Sequence, residues 1–227
     1  MQLSSAYRYD NGTLDPKSVY ESIKALILQQ GLPLGKRIHV EPLADALNVS
    51  NTPVREALIQ LSTERLIRNE PNAGFFTKEL SELEIRNMYI FQLTLLDLSL
   101  SLVRKKGEVP GMLKPPKLID KVSSHITNSS NSNVEVLNEL FTHISRQSGN
   151  IDVIQGIMNI NDRTFFVRLH ECEAIPEWGG DLENLCELYY HKKIKELRNA
   201  LQVFQNKTVS FLPDLILLLK RSTSDFY

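Results

Sequence analysis

Residues 48–61 read NVSNTPVREALIQL. A polar cluster, Asn48 to Thr52, runs into Pro53, and an apolar ladder follows at Val54, Ala57, Leu58 and Leu61. Spacings of three and four put that ladder on one face of a helix, with Asn51, Thr52, Arg55 and Glu56 on the other. Thr52 is placed to cap the helix and Pro53 to be its first residue, where a missing N–H removes no bond. The helix then runs to about Thr63. Immediately upstream, VEPLADAL (40–47) predicts a shorter helix with Leu43 and Leu47 inward. Asn48 ends it, because asparagine tolerates the left-handed conformation that a tight inter-helix turn demands. Val49 is a small apolar plug in that turn.

Working outward, VYESIKALILQQG (19–31) predicts a helix capped by Asp15 or Ser18 and stopped by Gly31. Its inward face is Val19, Ile23, Ile27 and Leu28. The segment LPLGKRI turns the chain back at Pro33 and Gly35. Beyond Thr63, RLIRNEPNAGFFTKEL predicts two short strands joined through Pro71-Asn72-Ala73-Gly74. Leu66 and Ile67 face inward on the first strand, and Phe75 and Phe76 lie on the second. Helix, helix, turn, helix and hairpin make a winged helix-turn-helix. In that layout the helix after the turn enters the DNA major groove and its first turn meets the bases. Small polar side chains at its front, Ser50, Asn51 and Thr52, suit phosphates and base edges. Arg55 can fork onto a guanine or clamp a phosphate.

From Ser81 onward the pattern is helical. SELEIRNMYIFQLTLLDLSLSLVRKKG carries one long helix stopped by Gly107. A breaker-rich loop, GEVPGMLKPPK, follows, then a helix over 117–127 and a polar loop at 128–133. Amphipathic helices are expected over 134–147 and 151–170, IPEWGGD reads as a loop, and helices over 181–205 and 208–220 close the chain. The fold class is therefore mainly α, an N-terminal winged helix-turn-helix followed by a C-terminal all-α helical bundle. The expected division is a flexible arm over 1–14, a DNA-binding domain over 15–79 and a helical effector-binding and dimerisation domain over 80–227.

The 227 residues are 42% hydrophobic and 23% charged, with net charge −1, so any nucleic-acid surface must be local. No apolar run approaches the ~20 residues of a membrane span. The first residues lack the apolar core of a signal peptide, so no leader is expected. Two cysteines, Cys172 and Cys186, make neither a disulfide framework nor a metal-ligand spacing. A cytoplasmic protein without membrane association fits. No nucleophile–base pair and no Gly-rich phosphate loop is present, so an enzyme is not expected.

Residues 18–78 resemble the DNA-binding domain of the GntR family of bacterial transcription regulators. The resemblance is carried by VYESIKALI, LPLGKRI, LADALNVSNTPVREALIQL and ERLIRNEPNAGFF. It implies a homodimeric repressor or activator on a short inverted-repeat operator of double-stranded DNA. Family members usually carry Arg at the position of Asn51 and Gly at the position of Asn48; the first difference bears on base preference, the second is structurally mild. The remainder resembles the helical effector domain of the FadR-like branch, through EIRNMY, LFTHISRQSGN and YYHKKIKELRNAL. That branch binds a small organic acid or acyl ligand, and many members hold a metal with one Asp and three His. The corresponding positions here are Leu137, Phe141, His191 and one near Leu212, so one ligand of four survives. No metal and no cofactor is therefore expected, and the effector is a small organic acid or an apolar molecule.

The candidate DNA contacts are Arg55, Asn51, Thr52 and Ser50 on the recognition helix, Lys36 and Arg37 before it, and Asn72 and Gly74 in the wing. Each has a plainer reading. Arg55 could pair with Glu56 or Glu64, Thr52 could be only a cap, Lys36 and Arg37 could be turn residues, and Gly74 could serve only the turn. In the helical half the candidates for effector contact are Arg163, Arg168, His143 and His191. For the two arginines the plainer reading is a solvated helix face; a buried one would suit a carboxylate.

Overall fold

The computed structural model describes residues 16–106 and 130–224. The chain divides between Leu80 and Ser81 into two compact units.

The first unit contains α1 (Pro16–Leu28), β1 (Arg37–Ile38), α2 (Val40–Leu47), α3 (Asn51–Thr63), β2 (Ile67–Glu70) and β3 (Gly74–Thr77). The apolar faces of α1, α2 and α3 meet around Val19, Ile23, Leu43, Val54, Leu58 and Leu61. The α2–α3 turn forms as the sequence predicts. Asn48 takes φ 54, its N–H bonds Asp45 O, and the Val49 N–H bonds Ala44 O at 3.0 Å. The cap of α3 differs from expectation: Ser50 is the N-cap, and Pro53 is the third helical residue. Proline is tolerated there because none of the first four N–H groups has an intrahelical partner. At the end of α1 the left-handed residue is Gln30, with φ 53, rather than Gly31. Gly31 matters for closeness, since a Cβ there would lie 2.9 Å from Leu26 Cδ2 and 3.3 Å from Leu26 O.

The hairpin is part of a three-stranded antiparallel sheet of order β1-β3-β2. Strand β1, where the sequence suggests only a turn, pairs Arg37 with Phe76 and Ile38 with Phe75. Two residues give no periodicity to read, so only tertiary pairing defines this strand. Phe75 is buried, whereas Phe76 turns to the outer face, as strand alternation requires. The Thr77 hydroxyl donates to Pro33 O and accepts from the Lys36 N–H, tying the 33–36 turn to the sheet.

The second unit contains α4 (Glu82–Lys106), α5 (Ser130–Arg146), α6 (Ile151–Ala174), α7 (Trp178–Tyr190) and α8 (Ile194–Ser224). Its core gathers Leu96, Leu140, Phe141, Ile144, Ile157, Trp178, Leu182 and Leu201. Asn150 caps α6 through its side chain, which accepts from the Asp152 N–H at 2.9 Å. Three readings are corrected. The WGGD segment is the first turn of α7 rather than loop, because Trp178, 1% exposed, is anchored in the core against Phe204. The helix expected over 181–205 breaks at 191–193, where Lys192 has φ 56 and the Lys193 N–H returns to Leu188 O. Helix α8 then runs unbroken past residues 205–208, with exposed Pro213 inside it and Leu212, Leu215 and Ile216 buried around it. The helix expected over 117–127 lies outside the described residues.

Candidate nucleic-acid interface

Helix α3 is buried on one side and open on the other. Val54, Leu58 and Leu61 are at 0% exposure, while Ser50, Asn51, Thr52, Arg55, Glu56 and Ile59 are exposed. The helix is thus clamped along its back, and its polar front is free to meet a ligand. Its first N–H groups lack intrahelical partners and favour an anion. Glu64 is engaged by the Tyr20 hydroxyl at 2.8 and 2.9 Å and by Gln60 at 3.1 Å. Among the described residues Arg55 pairs with neither Glu56 nor Glu64, so its guanidinium projects from the exposed face. The Tyr20 hydroxyl is pushed up to about 12 by burial and by the Glu64 carboxylate, and it remains a donor at neutral pH.

The wing supplies a second exposed element. Asn72 has φ 62 and Gly74 has φ 97, both left-handed, and the Ala73 N–H closes the turn on Glu70 O at 3.1 Å. A Cβ on Gly74 would sit 3.6 Å from Arg37 Nη2, so Arg37 lies beside the wing turn. Lys36 and Arg37 are both exposed. The register places Arg37, Phe76 and Arg68 in one row across the outer face of the sheet. Arg68 lies 5.7 Å from the Phe76 ring centre and pairs with Glu70 at 2.7 Å. Neither Arg68 nor Phe76 is among the contacts expected from the sequence, although strand alternation sets Phe76 on the face opposite Phe75. Positions 50, 51, 52 and 55 gather on the front of α3, and 37 and 74 gather at the wing.

The helical unit separates its four candidates. Arg168 is 2% exposed and lies at the centre of a polar cluster. Its guanidinium donates to the side-chain oxygens of Asn138, Asn161 and Gln92. It also lies 5.5 Å from the Tyr89 ring centre and 5.2 Å from that of Phe141. Arg163 is instead ion-paired with Glu84. His143 is half-buried on α5, where burial and Arg146 pull its pKa down. His191 is exposed at the end of α7, against the Tyr190 ring. Gln92, Asn138 and Asn161 were missed, although polar residues on otherwise buried helix faces are a legible sign. The positions the resemblance assigns to metal ligands do not fit one: Leu137, Phe141 and Leu212 are at most 1% exposed, have no lone pair to offer, and His191 faces solvent. Among the described residues no three His, Cys, Asp or Glu side chains are grouped to hold a metal ion.

One turn beyond Arg168, Glu171 is buried and accepts the Tyr89 hydroxyl at 2.6 Å. Burial pushes its carboxyl up to about 7, with the Tyr89 bond and Arg168 opposing the rise. The unfolded side chain titrates near ~4.3. Between these values the folded chain holds a proton that the unfolded chain has lost. The stabilisation is fully present below the unfolded pKa and disappears as pH rises through about 7. Glu171→Gln keeps an oxygen for Tyr89 and has no charge to bury. Its melting temperature is expected to stay level from pH 5 to pH 8 while that of the wild type falls, a difference followed by thermal unfolding at each pH. Parallel pH profiles for the two proteins would refute this.

Residues 16–77 match the profile of the bacterial regulatory proteins of the gntR family. Over most of the chain it is 22% identical to YdhC, an HTH-type transcriptional regulator of Bacillus subtilis (strain 168), covering 84% of this chain and 83% of that one. It is 28% identical to the Nta operon transcriptional regulator of Aminobacter aminovorans over 59% of this chain and 64% of that protein. Among solved structures, E. coli McbR/YncC superposes with a TM-score of 0.64 at 22% identity, covering 88% of this chain and 97% of that one. Lar of Listeria monocytogenes superposes with a TM-score of 0.61 at 16% identity, covering 91% and 100%. The structural likenesses establish the fold of a winged helix-turn-helix joined to a helical unit.

Proposed function

We propose that this chain, whose residues 16–77 are a DNA-binding domain of the gntR family, is a cytoplasmic, sequence-specific transcription repressor of the FadR-like branch. It acts as a homodimer on a short inverted repeat, and a small organic ligand in the helical unit sets its DNA affinity. The observation that carries the reading is the two-sided α3: a fully buried back and an exposed front of Ser50, Asn51, Thr52 and Arg55. Phosphate contacts from Lys36, Arg37, Thr52 and the wing residues Asn72 and Gly74 fix the register, and Asn51 and Arg55 read bases. Selection of bound sequences from a random DNA pool tests it. An enriched inverted repeat is expected, and binding without sequence preference would overturn the reading.

Asn51 sets the base preference. Asparagine prefers the adenine edge and arginine the guanine edge, so Asn51→Arg moves the selected motif from adenine toward guanine at one position per half-site. Identical motifs from the two proteins would remove Asn51 from the readout.

In the helical unit Arg168 is the anchor for a carboxylate ligand, which would take over hydrogen bonds that Asn138, Asn161 and Gln92 now accept. Arg163, His143 and His191 would act from the periphery. A second reading, an architectural DNA-binding protein whose bundle serves only dimerisation, is favoured by the same saturation of Arg168. Thermal shift with a panel of carboxylic acids separates the two. Stabilisation that depends on Arg168 supports the ligand-gated repressor, and the absence of any shift supports the architectural protein.

A further inference from the structure

The N-terminal unit carries a cavity of about 490 Å³ between the 32–39 segment and α2. Its lining lies wholly inside that unit, between Leu32 and Thr77 in the chain. Leu32, Ile38 and Leu43 are its buried floor, while Pro33, Pro42 and Ala46 are exposed at its rim. Pro42 and Ala46 are one turn apart on α2, so they present a single apolar edge to the cavity. Lys36, Arg37 and His39 stand exposed on the same lining.

The walls are fixed before any ligand arrives. The Thr77 hydroxyl donates to Pro33 O and accepts from the Lys36 N–H, and the Thr77 N–H bonds Lys36 O at 2.9 Å. Ile38 is paired with Phe75 in the sheet. A preformed cavity of this size lies in the ~300–1,000 Å³ range of small-molecule sites, and little has to be ordered when it fills. Eleven residues line it, short of the ~20–30 a side of a protein interface. The cavity thus has the scale of a small molecule rather than of a protein partner. Charge selects the molecule: Lys36 and Arg37 face one carboxylate, Asp45, so the lining favours an anion.

We propose that this cavity is a ligand site separate from the Arg168 cluster, that it takes a small carboxylate with a ring-sized apolar body, and that the bound anion competes with DNA. The apolar body rests on Leu32, Ile38 and Leu43 between the rigid Pro33 and Pro42 rings, and the carboxylate lies at the Lys36–Arg37 rim. Arg37 belongs to the wing as well as to the cavity, since its Nη2 is 3.6 Å from where a Gly74 Cβ would be. A carboxylate held there occupies side chains proposed above to hold phosphate. By linkage, ligand and DNA then weaken each other by the same factor. The competition rests on that proposed role of Lys36 and Arg37; occupancy of the cavity does not.

Isothermal titration of the full chain with β-naphthoate tests it, with the neutral alcohol β-naphthylmethanol as comparison. The wild type is expected to bind β-naphthoate with a dissociation constant of about 1 mM or below, and the alcohol roughly fivefold more weakly. Ala46→Phe fills the cavity from an exposed helix position and is expected to weaken β-naphthoate roughly tenfold or more. Lys36→Gln with Arg37→Gln is expected to weaken β-naphthoate roughly fivefold and to leave the alcohol unchanged. Circular dichroism confirms that each variant keeps its fold. On the operator selected from the random pool, β-naphthoate at about ten times its own dissociation constant raises that of DNA roughly fivefold or more for the wild type, and leaves it unchanged for Ala46→Phe. Absence of β-naphthoate binding by the wild type, or undiminished binding by folded Ala46→Phe, would overturn the site. An alcohol bound as tightly as the carboxylate would overturn the ligand class. A change of oligomeric state in Ala46→Phe on sedimentation would place a second copy in the cavity and overturn the assignment. β-Naphthoate bound with DNA affinity unchanged would overturn the competition alone. A chain that binds no DNA would overturn the proposed function and the competition with it, while the titration still decides the site.

Discussion

Replacing Arg168 by alanine lowers the unfolding temperature of the helical unit by roughly 6–12 °C, corresponding to about 3 kcal/mol in a domain of this size. The guanidinium is 2% exposed, and the side-chain oxygens of Asn138 and Gln92 take a hydrogen bond from it. Asn161 Oδ1 retains a donor in Gln92 Nε2 at 2.9 Å, so two of the three acceptors are orphaned rather than all three. An unpaired buried acceptor costs about 1–3 kcal/mol, and the space left between Tyr89 and Phe141 adds a cavity penalty. The loss of the positive charge also removes one of the influences that hold the Glu171 carboxyl down, so the variant is hurt more at high pH than at low. Arg168→Ala combined with Glu171→Gln recovers part of the loss at pH 8, because no charge then remains to be buried. Thermal and urea unfolding of the four proteins makes a double-mutant cycle. A change in melting temperature below about 2 °C for Arg168→Ala would mean that water replaces the guanidinium, and the cluster would then be no stabilising centre.

The second large effect is on DNA. Arg55→Ala is expected to weaken operator binding by about 1–3 kcal/mol, or roughly five- to 150-fold, if the guanidinium forks onto a guanine, with specificity relaxed at one position per half-site. If it clamps a phosphate, affinity falls evenly over all sequences and the salt slope shrinks by about one. The exposed position of Arg55 on α3, with neither Glu56 nor Glu64 holding it, makes its loss nearly free for the fold. Binding and stability therefore separate cleanly. Titration of the selected operator at several salt concentrations distinguishes the two contacts, and unchanged binding by the folded variant would exclude both.

The N-terminal unit was legible because its signals are local. The 48–61 stretch encodes a left-handed Asn48, a proline tolerated in a first turn and an apolar ladder at helical spacing, and each forms from neighbours in sequence. The division of α3 into a buried back and a polar front follows from the same ladder. What resisted reading depends on residues far apart. The two residues of β1 are a strand only because Phe75 and Phe76 arrive beside them. WGGD is helical only because the core receives Trp178, and the burial of a large aromatic outweighs the low helix propensity of two glycines. Pro213 lies inside α8 because Leu212, Leu215 and Ile216 pack on both sides of it, so tertiary burial offsets the missing hydrogen bond.

The candidate sites divide in the same way. The sequence by itself determined which residues form the exposed front of α3, since helical period assigns faces without reference to the rest of the chain. It could not choose among Arg163, Arg168, His143 and His191, because burial of a charged side chain is set by what packs over it. Only the tertiary structure decided that Arg168 is the buried one, surrounded by oxygens from α4, α5 and α6, that Arg163 is committed to Glu84, and that His191 faces water. A helix period fixes direction around one axis, whereas the environment a side chain meets in that direction comes from elements as far as 79 residues away in the chain.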